Sequence, residues 1–238
     1  MKLAIFGGTF NPLHIGHCML AETVAVERGY DRILFVPTNI PPHKQMHYAL
    51  PAAARFAMLE DFCRSAACGM EQPFHADDCE IKRGGISYTF DTVCAVLQKY
   101  EGQLDAPPAL IVGQETALQF GKWHNAAGIA ERTELIIARR RPDSARIDTT
   151  GFLNKPLGEY AADFSDNTDV AAALAPLNVR YSLLENPLLP VSSTEIRARI
   201  AQRKSWRYLV PDSVFRYITQ RGFYNDAYDE RQSGRCGC

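Results

Sequence analysis

The sequence predicts an α/β chain: a doubly wound parallel sheet with helices on both faces. Three observations carry this. Short apolar runs recur along the chain and read as strands buried in a sheet. Stretches with helical spacing separate them, so consecutive strands connect through helices and lie parallel. Nearly every glycine-bearing or polar oddity falls directly after one of the runs, at the carboxyl ends of strands, where sheets of this Rossmann-like kind collect their ligands.

Taken in order, Leu3 to Phe6 is the first strand, broken at Gly7-Gly8. After the turn-forming Asn11-Pro12 the pattern becomes helical, with Ile15, Met19 and Val26 recurring near a period of 3.6. Arg32 to Val36 is a second strand, and Pro37-Thr-Asn-Ile-Pro-Pro-His-Lys44 a stiff loop leaving its carboxyl end. Pro51 opens a helix to about Cys63. A third strand is expected over Phe74 to Ile81, followed by a Gly84-Gly85 turn. The next helix has Ser87 or Thr89 as its cap and buries Phe90, Val93, Val96 and Leu97. Ala109 to Val112 is a buried strand ended by Gly113, with a helix running on toward Trp123. Leu135 to Ala138 is another, followed at once by Arg139-Arg-Arg141. From Pro142 to Pro176 the pattern weakens into a partly irregular excursion. Tyr181 to Leu184 resumes the sheet, Ser192 to Arg197 opens a helix with a capping signature, and Pro211 starts a last helix reaching about Gln220. The reading is a single domain over 1–224 and a flexible tail over 225–238.

Composition narrows the function classes. With 238 residues, 46% apolar and 22% charged, the chain has the profile of an ordinary soluble domain with a substantial core. A net charge of −1 gives no general attraction to nucleic acid or to an anionic membrane, so basic residues must act locally. No run approaches the length of a membrane span, and the N-terminal apolar run is too short for a signal peptide. The seven cysteines are odd in number, and Cys18, Cys63, Cys68, Cys79 and Cys94 fall in regular segments, so reduced thiols in the cytoplasm are expected. Cys236-Gly-Cys238 has no second ligand pair nearby to make a metal site. A homo-oligomer is left open.

The chemistry concentrates in Lys2-Leu-Ala-Ile-Phe-Gly-Gly-Thr-Phe-Asn-Pro-Leu-His-Ile-Gly-His17. A strand, glycine loop and helix in this order aim free backbone N–H groups and the positive helix end at one point, which suits a phosphate. His14 and His17, three apart on the first helical turn, look toward that point. Gly16 between them costs the helix roughly 0.5–1 kcal/mol relative to alanine, so something flat or bulky needs its space. The loop ending in Lys44, the Gly113-Gln-Glu115 segment and the Ser192 to Arg197 segment should converge with it. Together they offer helix N-termini, imidazoles, Lys44 and Arg197, and little that would serve as a nucleophile. Polyphosphate is the expected ligand, and positioning with charge neutralisation the expected chemistry. Weighed singly, Trp123 is as readily core as ligand platform, and the other arginines of 139–141 and 199–207 are solvated faces.

Gly7-Gly-Thr-Phe-Asn-Pro-Leu-His-Ile-Gly-His17 and Ser192-Ser-Thr-Glu-Ile-Arg197 resemble the nucleotidyltransferase superfamily that shares ancestry with class I aminoacyl-tRNA synthetases. Pro41-Pro-His-Lys44, Ser87-Tyr-Thr-Phe-Asp-Thr92, Gly113-Gln-Glu115 and Trp123-His124 narrow the resemblance to the bacterial nicotinate-nucleotide adenylyltransferases, over about residues 1–224. The resemblance implies transfer of AMP from ATP to nicotinate mononucleotide, with Mg²⁺ assisting and no covalent intermediate. It implies that His14, His17, Lys44 and Arg197 are catalytic, with His17 stabilising the transition state. Gly7, Gly8, Thr9, Phe10, Gly113, Glu115, Ser192 and Ser193 would bind ATP, and Thr89, Trp123 and His43 the acceptor. Two departures stand out: the family more often has Asp where this chain has Asn11 and Glu115, and the 142–176 stretch is long for it.

Two other readings stay open. A nucleotidyltransferase with a different acceptor, such as phosphopantetheine or another mononucleotide, would share the two outer motifs but lack Ser87 to Thr92 and Trp123. A non-catalytic nucleotide-binding module would keep the glycine loop and tolerate loss of His17 or Arg197; both are present.

Overall fold

A computed structural model describes residues 1–42, 49–66, 73–139 and 167–225. Strands β1 (Leu3–Gly8), β2 (Arg32–Pro37), β3 (Phe74–Ala76), β4 (Ala109–Gly113), β5 (Glu134–Ala138) and β6 (Tyr181–Leu184) form one sheet in the order β3-β2-β1-β4-β5-β6. Every neighbouring pair is parallel. The direction of winding reverses between β1 and β4, the place where such sheets open a crevice for ligands.

The apolar runs sort their side chains by the two-residue period of a strand. Ala4, Phe6, Ile33, Phe35, Ile111 and Ile136 enter one core, Leu3, Ile5, Leu34, Val36, Val112 and Ile137 the other. Both faces are therefore covered, which is why these strands read as continuous runs rather than alternations. The helices are α1 (Ile15–Arg28), α2 (Ala52–Ala66), α3 (Cys79–Arg83), α4 (Thr89–Lys99), α5 (Gln114–Ala117), α6 (Ala126–Arg132), α7 (Asn167–Leu174), α8 (Ser193–Ala201) and α9 (Asp212–Arg221). Residues of α1, α2, α8 and α9 pack on the first face, and residues of α4 to α7 on the second.

Several expectations shift. On α1 the buried stripe runs through Ala21, Val24 and Ala25, and Val26 is 74% exposed, so it lies off the apolar face. The third strand stops at Ala76 instead of Ile81, because the Asp77 carboxylate accepts from the Cys79 N–H at 2.9 Å and turns the chain into α3. Neither Ser87 nor Thr89 caps α4: Tyr88 occupies the cap position, Thr89 is the first helical residue, and Ser87 Oγ accepts from the Asn39 N–H at 3.1 Å. The helix expected to run to Trp123 breaks after Ala117, passes through a 3₁₀ turn at Phe120–Lys122, and restarts as α6. Asn125, in a left-handed conformation (φ 52°), caps α6 by accepting from the Gly128 N–H at 3.2 Å. A Cβ on Gly128 would lie 2.7 Å from the Phe90 ring, so the glycine is what lets α6 approach α4.

Within the 142–176 stretch the described part is helical: α7 buries Val170 and Leu174. Arg140 and Arg141 lie outside the described residues, as do Cys68, Cys236 and Cys238. Cys18, Cys63, Cys79 and Cys94 are free thiols, and burial pushes Cys18, Cys63 and Cys79 up to about 12, which keeps them neutral and unreactive. Among the described residues no helix is long and apolar enough to cross a membrane.

Candidate active site

The β1–α1 junction is built around an aromatic cluster. Phe6, Phe10 and Phe35 meet edge to face or tilted at 5.4–5.6 Å, and the His17 ring lies 5.1 Å from Phe10 and 5.9 Å from Phe6. Phe10 reaches this cluster by adopting φ 46°, and a Cβ on Gly8 would come within 2.9 Å of its ring. Gly8 therefore makes room for an aromatic that supports His17, whereas nothing within 4 Å of Gly7 would resist a side chain and the residue is exposed.

His14 caps α1 in an extended conformation, and its N–H donates to His17 Nδ1 at 3.2 Å. An Nδ1 that accepts carries no proton, so the neutral His17 ring bears its hydrogen on Nε2 and presents a donor there. The two rings stack at 3.7 Å between centroids. A Cβ on Gly16 would sit 3.1 Å from His14 ring atoms and 3.1 Å from a methyl of Val191. The space it keeps free is thus taken by His14 and by the segment leading into α8.

That segment closes the site from the first face of the sheet. Ser192 Oγ accepts from the Glu195 N–H at 3.1 Å, capping α8, and Ser193 Oγ donates to the Pro12 carbonyl at 2.8 Å. Arg197, half-buried one turn further on, donates to the Asn11 carbonyl at 2.7 Å and lies 3.3 Å from Thr194 Oγ1. The motifs at the two ends of the sequence, about 180 residues apart, are thereby joined by direct hydrogen bonds.

On the other side of the switch point, β4 ends at Gly113 and Glu115 stands exposed on the first turn of α5. Trp123 is half-buried, its ring 5.2 Å from the fully buried Phe120. Next to it the His124 ring lies 4.4 Å from Tyr88. This contact brings the Ser87 to Thr92 motif, with Thr89 at the start of α4, against the Trp123-His124 motif.

His43 and Lys44 lie outside the described residues. Arg55 and Tyr224, which do structural work at the site, were not singled out from the sequence, and Asn11 stood out there only for its turn and its departure from the family's Asp. Arg55 is fully buried on α2 and donates to three main-chain carbonyls: Leu50 at 3.0 Å, Thr9 at 2.7 Å and Thr38 at 2.6 Å. Burial pulls its guanidinium below the ordinary value, with Tyr224 and Glu80 opposing. The available signal was an arginine on the same helical stripe as Met58, Leu59 and Phe62. Asn11 accepts at Oδ1 from the Tyr224 hydroxyl at 2.6 Å and from the Leu50 N–H at 3.2 Å. Tyr224, read as the last residue before a tail, is buried. Among the described residues no three His, Cys, Asp or Glu side chains gather as metal ligands would.

The sequence model of the cytidylyltransferase-like family matches residues 5–199. The chain is 37% identical over 224 residues to a probable nicotinate-nucleotide adenylyltransferase of Treponema pallidum (strain Nichols), covering 94% of this chain and 99% of the relative. It is 32% identical over 226 residues to a probable nicotinate-nucleotide adenylyltransferase of Caldicellulosiruptor saccharolyticus, covering 95% and 100%. Among solved structures, the Plasmodium falciparum nicotinic acid mononucleotide adenylyltransferase complexed with NaAD superposes with a TM-score of 0.66 at 14% identity, over 94% of this chain and 97% of that one. That likeness bears on the fold alone.

Proposed function

Since this chain belongs to the cytidylyltransferase-like family and is a nucleotidyltransferase, we propose that it transfers AMP from ATP to nicotinate mononucleotide, forming nicotinate adenine dinucleotide and pyrophosphate. The observation that carries the reading is the arrangement around the β1/β4 switch point. Two stacked histidines and an arginine are hydrogen-bonded into one loop on one side, and the Tyr88–His124 contact unites the two acceptor motifs on the other. The names of the relatives support the same substrates.

In this reading the acceptor's phosphate oxygen attacks the α-phosphorus of ATP in line. The α-phosphorus–oxygen bond to the β-phosphate breaks, and pyrophosphate leaves with that electron pair. No side chain becomes covalently attached. His17 Nε2–H donates to an oxygen on which charge develops, and His14, stacked on it, fixes the ring and faces the same phosphates. Arg197 and Lys44 neutralise charge on the transferring and leaving groups. The backbone from Gly7 to Phe10 and the N-terminus of α8 add N–H donors. Ser193 commits its hydroxyl proton to Pro12, while Ser192, which only accepts within α8, keeps its own for a phosphate oxygen. Gly113 and Glu115 meet the ribose end of ATP, and Thr89, Trp123 and His43 frame the pyridine ring. Mg²⁺ enters as part of the MgATP substrate. A cytoplasmic location fits the free, half-buried thiols.

Pyrophosphate release from ATP, measured with nicotinate mononucleotide, nicotinamide mononucleotide and phosphopantetheine, tests the reading; the first should be turned over fastest. Trp123→Ala should raise the acceptor KM ten- to hundredfold, by analogy with bases stacked on aromatics at roughly 1–3 kcal/mol, and leave the KM for ATP unchanged. Equal rates with the acid and the amide, or an unaltered acceptor KM, would remove nicotinate mononucleotide as the substrate.

A further inference from the structure

Two aromatic residues meet at Asn11 in backbone conformations that bulky side chains rarely adopt: Phe10 at φ 46° and Tyr224 at φ 63°. Of the three other non-glycine residues with positive φ among the described residues, Asn125 and Asn178 are of the type that tolerates it, and Arg203 is exposed just beyond the end of α8. An aromatic stays in the left-handed region only where its surroundings hold it there, and such residues gather at functional sites. Both rings are buried; Phe10 directly precedes Asn11 in the chain, and Tyr224 reaches the Asn11 side chain from the far end of the sequence.

Tyr224 lies in the turn that follows Gly222, the left-handed cap of α9. Its hydroxyl donates to Asn11 Oδ1 at 2.6 Å, a buried bond across 213 positions of sequence. The Asn11 carbonyl receives Arg197 at 2.7 Å, and the next carbonyl, of Pro12, receives Ser193 at 2.8 Å. Thr9, two positions before Asn11, is held by Arg55 from α2, the helix on which α9 packs.

We propose that Tyr224 is a positioning residue for the phosphate-binding loop: through Asn11 the turn after α9 fixes the peptide on which Arg197 is anchored and from which α1 begins. The proposal rests on the nucleotidyl-transfer reading of this site. Tyr224 touches no substrate. It acts by holding Arg197 and His14 at a fixed separation, so its loss lowers the rate of the bound complex more than it weakens binding.

The test is Tyr224→Phe, which keeps the ring and removes only the hydroxyl. The loss of one buried neutral hydrogen bond should lower kcat roughly tenfold, with the KM for ATP changed less than about twofold. Asn11→Asp keeps an acceptor at the same place and should retain activity, whereas Asn11→Leu should not. Because Tyr224 acts through Arg197, Tyr224→Phe should cost little more when added to Arg197→Lys, while a general loss of stability would add to it in full. Amide hydrogen exchange gives a readout independent of turnover: residues 9–14 should exchange faster in Tyr224→Phe while the strands of the core do not. Unchanged kcat and unchanged exchange in that loop, or additive effects in the double variant, would overturn the proposal. If the wild-type protein transfers AMP to no acceptor, the functional reading falls instead, and hydrogen exchange alone decides whether Tyr224 holds the loop.

Discussion

Gly16 shows how a single position is judged by magnitude. Alanine there would favour α1 by roughly 0.5–1 kcal/mol, yet its Cβ would press on both His14 and Val191 at 3.1 Å. The glycine therefore trades helix stability for the packing of a histidine against the segment that leads to Arg197. Arg197 and Arg199 allow a sharper comparison. Arg199 is an ion pair with Glu195 at 2.8 Å and donates to the Ser205 carbonyl at 3.1 Å, facing away from the loop. Arg197→Lys keeps the charge but loses the planar group that holds the Asn11 carbonyl and, on the proposed reading, would grip a phosphate, so kcat should fall by about 10²-fold, while Arg199→Lys should be nearly silent. Steady-state kinetics on the two variants checks this; equal effects would mean that α8 supplies only a diffuse positive field. The histidines and Arg197 were legible because their spacing is local. The tasks of Asn11 and Tyr224 were not, because the bond between them spans nearly the whole chain and a lone Tyr after a predicted helix carries no local pattern.

At the scale of elements, β1, β2, β4 and β5 were legible because burial on both faces leaves a nearly uninterrupted apolar run; the edge strand β6 is mostly half-buried and shows only a short apolar stretch. The helix expected to run to Trp123 is broken because short helices draw their stability from packing, here a glycine against Phe90 and an asparagine cap, and neither has a helical period of its own. The most instructive element is α2. Through Arg55 it ties Thr38 and Leu50, which bracket the segment containing His43 and Lys44, to Thr9 in the glycine loop. A lysine can reach one or two of those carbonyls but not all three, so Arg55→Lys should destabilise the fold by about 2–4 kcal/mol, from the carbonyls left without a donor. Its activity at a temperature where it remains folded should fall further than its stability predicts, because both loops lose their common anchor. Urea denaturation paired with kinetics separates the two effects; a fully active, equally stable variant would show that the loops hold themselves.

Across the whole molecule, a contact between separate elements has a charge state that can be set from outside: the pair between Asp77, just after β3, and Lys99 of α4. Asp77 is nearly buried; it caps the turn into α3 and accepts from Lys99 Nζ at the end of α4 at 2.5 Å. Burial would raise its carboxyl, but the hydrogen bonds from Lys99 and Cys79 outweigh it and hold it below the ordinary carboxylate value; Asp77 in turn holds Lys99 above the ordinary lysine value. A carboxyl with a lowered folded value stabilises the protein at pH above about 4 and loses that contribution as pH falls further. The raised lysine contributes below about pH 10.4 and loses it as pH rises through its folded value. Asp77→Asn should therefore lower the melting temperature at pH 7, and the gap to wild type should narrow below pH 4. A gap independent of pH would mean that Asp77 acts only through the geometry of the turn.

The orientation of the peptide groups in the glycine loop carries a last consequence. The carbonyl of Gly8 accepts from the Thr38 N–H, that of Thr9 from Arg55, that of Asn11 from Arg197, that of Pro12 from Ser193, and that of His14 from the amides of His17 and Cys18. The electron-rich ends of these dipoles are already engaged by donors from four other parts of the chain, so the loop offers little oxygen to a bare cation. Carbonyls engaged in this way are poor replacements for the water shell of a metal ion, whereas the loop's amide hydrogens and cationic side chains suit an anion. On the nucleotidyl-transfer reading proposed above, such a loop would sort its visitors by sign before any base or ring is read, favouring the phosphates of a nucleotide over a bare metal ion.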